Sequence, residues 1–396
     1  MLKFHLKQRH MAFCSFFFCA VFSLSFLLNP ISSFAKESSG FHSDAPTALL
    51  MEASTGTILY EKEADTERPP ASVTKVMTLL LIFDALAAGQ LSLDDTITVS
   101  EYAASMGGSQ VFLEPGETQT AETMSKCIAV SSANDACVAM AEHIAGSEET
   151  FVAKMNERAA NLGMKHTHFA NCCGLDADGH YTSSRDIALM SRELTIRYPQ
   201  VFHYTTIWME NITHVTRRGA SEFGLSNTNK LIRQYNGATG LKTGSTSKAG
   251  FCLSATATRN GVSLIAVVMG CDSSKARISA CIALLDYGFS ICQIYKDENP
   301  PVPPVIPVTG GKKKTVSGTY PSVFSHVSAG KLEKGKIKKK IQTETKISAP
   351  VKKGQQIGSL IYYYNGKEIG TIPIVAKENI EKAHYIDHIR NLFHSL

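Results

Sequence analysis

Three short strings stand in order along the chain: Ser72-Val73-Thr74-Lys75, Ser132-Ala133-Asn134 and Lys242-Thr243-Gly244. They constrain the fold because their chemistry requires them to meet, although the segments that carry them have different textures. Residues 72–88, with Leu79, Leu80, Leu81 and Phe83, read as a helix that Pro70 opens and Gly89 ends. It is apolar almost all round and is expected at the centre of a domain. Residues three apart share a helix face, so the Ser72 hydroxyl and the Lys75 amine project together. The Ser132 string interrupts two helix-like segments within residues 121–163, where a break can push side chains into a cleft. The Lys242 string opens a strand-like texture. Residues 251–258 and 262–269 flank Asn260-Gly261, a strong hairpin signal.

Each string alone has an ordinary explanation: a helix start, a helix cap, a solvated strand end. Together they describe nucleophilic catalysis. A serine hydroxyl attacks only when a base takes its proton, and a neutral lysine can be that base. Lys242 supplies a cation that favours a neutral neighbour, and it can also pair with an anionic substrate group. Thr243 adds a hydroxyl, and Gly244 lets substrate approach the strand backbone. Ser132 can relay a proton to a leaving amine, and Asn134 can hold a substrate amide or Lys75. The N–H groups of Ser72 and Ser245 are the candidate oxyanion hole.

Around these strings the organisation is that of an α+β domain with a helical insertion. Residues 48–51 and 57–60 read as strands joined by a turn at Ser54-Thr55-Gly56, and residues 184–197 read as a further helix. A Pro-rich stretch over 299–304 marks a linker, and the following residues to 374 show short strands and Gly turns without helical period. Tyr385, Ile386, Ile389, Leu392, Phe393 and Leu396 fall at helical spacings among basic residues, which suits a helix lying on a membrane surface. The expected division is a signal over 1–35, a catalytic domain over 36–298, a linker and β-rich domain over 299–376, and an amphipathic helix over 377–396.

The signal rests on Lys3, Lys7 and Arg9, an apolar core over 11–28 and the small-residue exit Ser33-Phe34-Ala35. Its removal places the protein outside the cytoplasm, on the outer face of the membrane or in the wall space. From Pro301 onward there are 16 Lys and Arg against 6 Asp and Glu, so a basic end follows an acidic larger domain. Such an end fits an anionic membrane or wall polymer, and no nucleic-acid partner is expected. Lys312-Lys313-Lys314 and Lys338-Lys339-Lys340 equally suit solvated edges. Eight cysteines remain after the signal, without paired zinc spacing, so buried free thiols and no metal or cofactor are expected. Adjacent Cys172 and Cys173 allow, but do not favour, a vicinal disulfide.

The three strings resemble those of the low-molecular-mass penicillin-binding proteins that are serine D-alanyl-D-alanine carboxypeptidases. The likeness extends to Ser132-Ala133-Asn134-Asp135-Ala136, to Gly174-Leu175-Asp176-Ala177-Asp178-Gly179-His180 and to Gly240-Leu241-Lys242-Thr243-Gly244, and it covers roughly residues 45–396. It implies a penicillin-recognising, serine transpeptidase/β-lactamase-like domain, a small all-β domain and a C-terminal helix that holds the enzyme to the membrane. It implies that Ser72 forms an acyl-enzyme with the peptidoglycan stem peptide or with β-lactams, and that Lys75 accepts the proton. Ser132 and Asn134 complete the site, Lys242, Thr243, Gly244 and Ser245 contact substrate, and Arg277 lies near the substrate's terminal carboxylate. Ser245 stands where some members carry histidine. A β-lactamase would need a second carboxylate base, for which Glu193-Leu194 lacks the frame. A non-catalytic wall-binding protein would not need every catalytic position filled.

Overall fold

The computed structural model describes residues 40–384, so the signal expected over 1–35 and residues 385–396 of the terminal helix lie outside the described residues. The centre is an antiparallel sheet of β1 (Thr47–Glu52), β2 (Ile58–Lys62), β3 (Ala238–Thr246), β4 (Gly250–Arg259) and β5 (Val262–Cys271), in the order β2-β1-β5-β4-β3. The start of the domain therefore pairs with its end, Thr47 of β1 lying opposite Met269 of β5. Every β1 residue is buried because both sheet faces are covered. Leu49 and Met51 enter one core, which includes Ile265, Val267 and Met269 of β5. Ala48 and Leu50 enter the other, with Leu264, Ala266 and Val268. The β4–β5 hairpin turns through Asn260 and Gly261, both at positive φ (51° and 82°), as that pair favours.

The first face carries the helical insertion. Its members are α1 (Lys75–Ala87), α2 (Ala121–Lys126), α3 (Asn134–Ala145), α4 (Glu148–Asn161) and α5 (Ser184–Arg197). The opposite face is covered by α6 (Ser274–Ile291). Two local features depart from a smooth helix. Residues Ala71–Thr74 form a 3₁₀ turn ahead of α1, and a π-helical turn over Cys127–Ser131 follows α2, ending in Ser132 at φ 63°. A π turn widens the helix by one residue, and such bulges frequently mark functional sites.

Strand β6 (Cys292–Lys296) leaves α6 directly and pairs with β7 (Ser325–Ala329). Beyond it, β8 (Ile337–Thr343), β9 (Gln356–Tyr364) and β10 (Lys367–Ala376) form the main sheet of an all-β domain, with Leu360, Tyr362 and Phe324 in one core cluster. Residues 377–384 of the expected terminal helix are not helical. Ile380 bridges to Val351, and Lys382 bridges to Gly311. The cause is apolar, since Ile380 fills the second core cluster beside Val351 and Ile374. The eight described cysteines are free thiols, buried except for half-buried Cys292. Among the described residues no helix is long and apolar enough to cross a membrane.

Candidate active site

The site forms where the 3₁₀ turn meets the edge strand β3. Ser72 is the second residue of that turn and Lys75 the first of α1. Lys75 is fully buried, and its Nζ donates to Ser72 Oγ at 3.1 Å, Asn134 Oδ1 at 2.6 Å and the Cys173 carbonyl at 2.7 Å. Three acceptors match the three protons of an ammonium, so this buried lysine is held in one geometry. Asn134, at the start of α3, is fixed in turn by its Nδ2, which donates to the Gly107 carbonyl at 2.6 Å. Asp135 beside it takes the backbone N–H groups of Val111 and Leu113, both at 3.1 Å, and so fastens the loop that carries Gly107. Burial pushes the Asp135 carboxyl up, against the backbone hydrogen bonds that hold it down.

Ser132 is buried, and its Oγ has no partner. Buried hydroxyls are almost always satisfied, so this unpaired group is an exception among the described residues. The residue follows the π turn directly, in a left-handed backbone conformation.

On β3, Lys242 is 1% exposed and its Nζ donates to the Thr243 carbonyl at 3.1 Å. Burial, and then the nearby charges of Lys75 and Arg277, push the Lys242 ammonium well below the usual lysine range. Thr243 Oγ1 shares a 2.7 Å hydrogen bond with Thr228 Oγ1. Gly244 is where the strand and the turn that carries Ser72 touch. A Cβ there would stand 2.9 Å from the Ser72 nitrogen, the Val73 nitrogen and the Pro70 carbonyl oxygen. Ser245 is exposed and lines an open cleft of about 590 Å³ with Arg68, Lys248 and Asp272. Arg277, from α6, is buried behind the strand, and its guanidinium donates to the Gly244 carbonyl at 2.9 Å. It grips the strand from within, and its Nε, like that of Arg68, is buried without a partner. Arg68, which the sequence does not single out, thus adds a second guanidinium beside this cleft.

The segment Gly174–His180 packs along the same turn. A Cβ on Gly174 (φ 87°) would fall 1.9 Å from the Ala71 carbonyl oxygen, so only glycine fits. Asp176 Oδ1 accepts from Thr246 Oγ1 at 2.8 Å. His180 Nδ1 accepts from the Ala170 N–H at 2.9 Å, which leaves Nε2 to donate to Thr74 Oγ1 at 2.9 Å. Thr74 Oγ1 donates onward to the Ala71 carbonyl at 2.9 Å. Ala71, immediately before Ser72, has φ 48°, a conformation that costs an alanine of order 1–3 kcal/mol unless its surroundings hold it. Glu193 is bound to the Arg158 guanidinium at 2.6 Å and supplies no second carboxylate here.

The chain matches two family models, D-alanyl-D-alanine carboxypeptidase over residues 34–273 and the C-terminal domain of penicillin-binding protein 5 over residues 293–382. It is 41% identical to the D-alanyl-D-alanine carboxypeptidase DacF of Bacillus subtilis over 366 residues, which is 91% of this chain and 92% of that protein. It is 34% identical to DacA of Escherichia coli K12, covering 89% of this chain and 88% of that one. Among solved structures, a peptidoglycan synthesis regulatory factor (PBP3) of Streptococcus pneumoniae is 28% identical and matches with a TM-score of 0.71 over 86% of this chain and all of that one. Penicillin-binding protein 5 of Haemophilus influenzae is 29% identical with a TM-score of 0.65, over 87% and all of the respective chains. The chain belongs to the serine D-alanyl-D-alanine carboxypeptidase family of penicillin-binding proteins.

Proposed function

We propose that this protein removes the terminal D-Ala from peptidoglycan pentapeptide stems through an acyl-enzyme on Ser72. The observation that carries this reading is the Lys75 Nζ position, 3.1 Å from Ser72 Oγ and 2.6 Å from Asn134 Oδ1. With Lys75 neutral, its Nζ takes the Ser72 proton as Oγ attacks the carbonyl of the penultimate D-Ala. The Ser72 and Ser245 N–H groups receive the developing oxyanion. The proton passes through Ser132 to the leaving D-Ala nitrogen as the C–N bond breaks. Water, deprotonated by Lys75, then cleaves the ester and restores Ser72. Lys242 and Thr243 contact the substrate, while Arg277 holds the Gly244 backbone and with Arg68 sets a positive field for the terminal carboxylate. β-Lactams acylate the same serine.

The protein is exported, and residues 385–396 with the basic β domain associate with the membrane surface. The division into catalytic and β-rich parts near residue 298 puts every proposed catalytic side chain in the first part.

Intact-protein mass after brief exposure of the 36–396 chain to benzylpenicillin tests the reading. One adduct on wild type and none on a folded Ser72→Ala protein are expected, with D-Ala release from diacetyl-lysyl-D-Ala-D-Ala lost in the variant. An adduct that survives in Ser72→Ala overturns the assignment. Acylation without D-Ala release favours a penicillin-binding protein that turns over no peptide.

A further inference from the structure

Behind Lys75 three thiols converge that the acylation chemistry does not use. Cys137 stands on α3 one turn beyond Asn134, and Cys172 and Cys173 come from the segment whose carbonyls bind Thr78 and Lys75. Neighbours in a strand point to opposite faces, but residues 170–173 form a bend, and Sγ of Cys172 and Sγ of Cys173 lie 3.6 Å apart. All three sulfurs are within 4.8 Å of one another and buried. No other such group of three occurs among the described residues. Two sulfurs on one zinc-sized ion, each at about 2.3 Å, stand roughly 3.8 Å apart in tetrahedral and about 4.0 Å apart in trigonal coordination. The cluster already has that spacing to within about 1 Å.

The charge also fits. One divalent ion on three thiolates carries a single net negative charge, and Lys75, bonded to the Cys173 carbonyl at 2.7 Å, is its counter-ion. As free thiols, Cys137 and Cys173 are turned inward, Cys137 Sγ donating to the Cys172 carbonyl at 3.7 Å and Cys173 Sγ to the Asn134 carbonyl at 3.5 Å.

We infer that Cys137, Cys172 and Cys173 bind one thiophilic divalent ion of the zinc and cadmium class, and that the bound ion stops acylation by pinning Lys75 as its counter-charge. Binding exchanges three thiol protons, released to solvent, for the ion, so it strengthens as pH rises. The site rests on the thiols alone, whereas the block rests on the reading of Lys75 as the base.

The test titrates reduced, metal-free 36–396 protein with cadmium chloride, reading thiolate-to-cadmium charge-transfer absorbance and native mass, with benzylpenicillin adduct formation in parallel. Wild type and Cys281→Ala, which alters a buried cysteine on α6, are expected to take up one ion with the thiolate band. Cys137→Ala, or Cys137→Ser should the first not fold, binds at least tenfold more weakly and lacks the band. Adduct formation falls at least tenfold in loaded wild type, returns with EDTA, and in Cys137→Ala is indifferent to cadmium. No band at stoichiometric cadmium, or a band that survives in both Cys137 variants, overturns the site. Uptake with undiminished acylation overturns the link to Lys75. A metal-free wild type that forms no adduct refutes the Ser72 reading instead, and the band still decides the metal site.

Discussion

Ala71 is a non-glycine residue in the left-handed region directly before Ser72, and the chain from His180 through Thr74 holds its carbonyl. Burial, and then the nearby His168 charge, push His180 down to about 4 from an ordinary 6.5, so it is neutral in the working protein. The unfolded chain takes up a proton near 6.5, while the folded one resists until about 4. Stability from this residue is therefore complete above 6.5 and is lost as pH falls through that window, by on the order of 2–3 kcal/mol at pH 4.5. Denaturant unfolding at pH 7 and 4.5 should show a drop of that size that His180→Gln removes, and an equal drop in both proteins would sink the idea. Acylation by benzylpenicillin at pH 7 should slow in the variant, because the turn before Ser72 loses its brace. None of this was legible in the sequence, where His180 is a lone histidine 106 positions from Thr74. Ser72, Lys75, Ser132, Asn134 and Lys242 were legible because their residue types and order are themselves the signal. The Cys173 contact was not, since Lys75 uses its carbonyl, and a carbonyl leaves no mark on residue identity.

At the scale of elements, catalysis depends on how closely β3 approaches the 3₁₀ turn. Gly244→Ala puts a methyl 2.9 Å from three backbone atoms of residues 70–73, none of which can rotate aside. Strand or turn must retreat by a few tenths of an ångström, and Lys242, Thr243 and the Ser245 N–H move with the strand. We expect acylation to fall about 10²-fold while the midpoint of thermal unfolding changes little. A rate within about threefold of wild type would show that the contact is dispensable. The β4–β5 hairpin and the buried helix α1 follow from turn chemistry and apolar pattern, both local. The π turn over Cys127–Ser131 does not. Its apolar sequence suits an ordinary helix, and the widened turn leads into the segment that brings Asn134 to Lys75.

The whole molecule joins an acylating domain to a basic β domain, and the structure changes where that second part ends. Composition foresaw the charge, 16 basic against 6 acidic residues from Pro301 onward, but not its pairing. Lys313 meets Glu378, Lys312 meets Glu381, and Lys339 lies 2.7 Å from Asp297. The terminal segment thus returns acidic side chains to the lysine-rich loops, while Ile380, 2% exposed, closes the apolar core. Helical spacing in residues 385–396 suggested one amphipathic unit from 377, because periodicity cannot say where a chain stops packing on its own domain. A membrane test that cuts after Ala376 would remove Ile380 and confuse unfolding with loss of an anchor. Cutting after His384 leaves the Ile380–Val351 bridge and both ion pairs in place. With vesicles rich in anionic lipid, the 36–396 protein should sediment and the 36–384 protein stay in solution, both forming the same penicillin adduct. Raised salt should weaken sedimentation of the longer chain only in part, since apolar insertion is not screened. If the two chains partition alike, residues 385–396 are no anchor, and any attraction to the membrane resides in the lysines of the β domain.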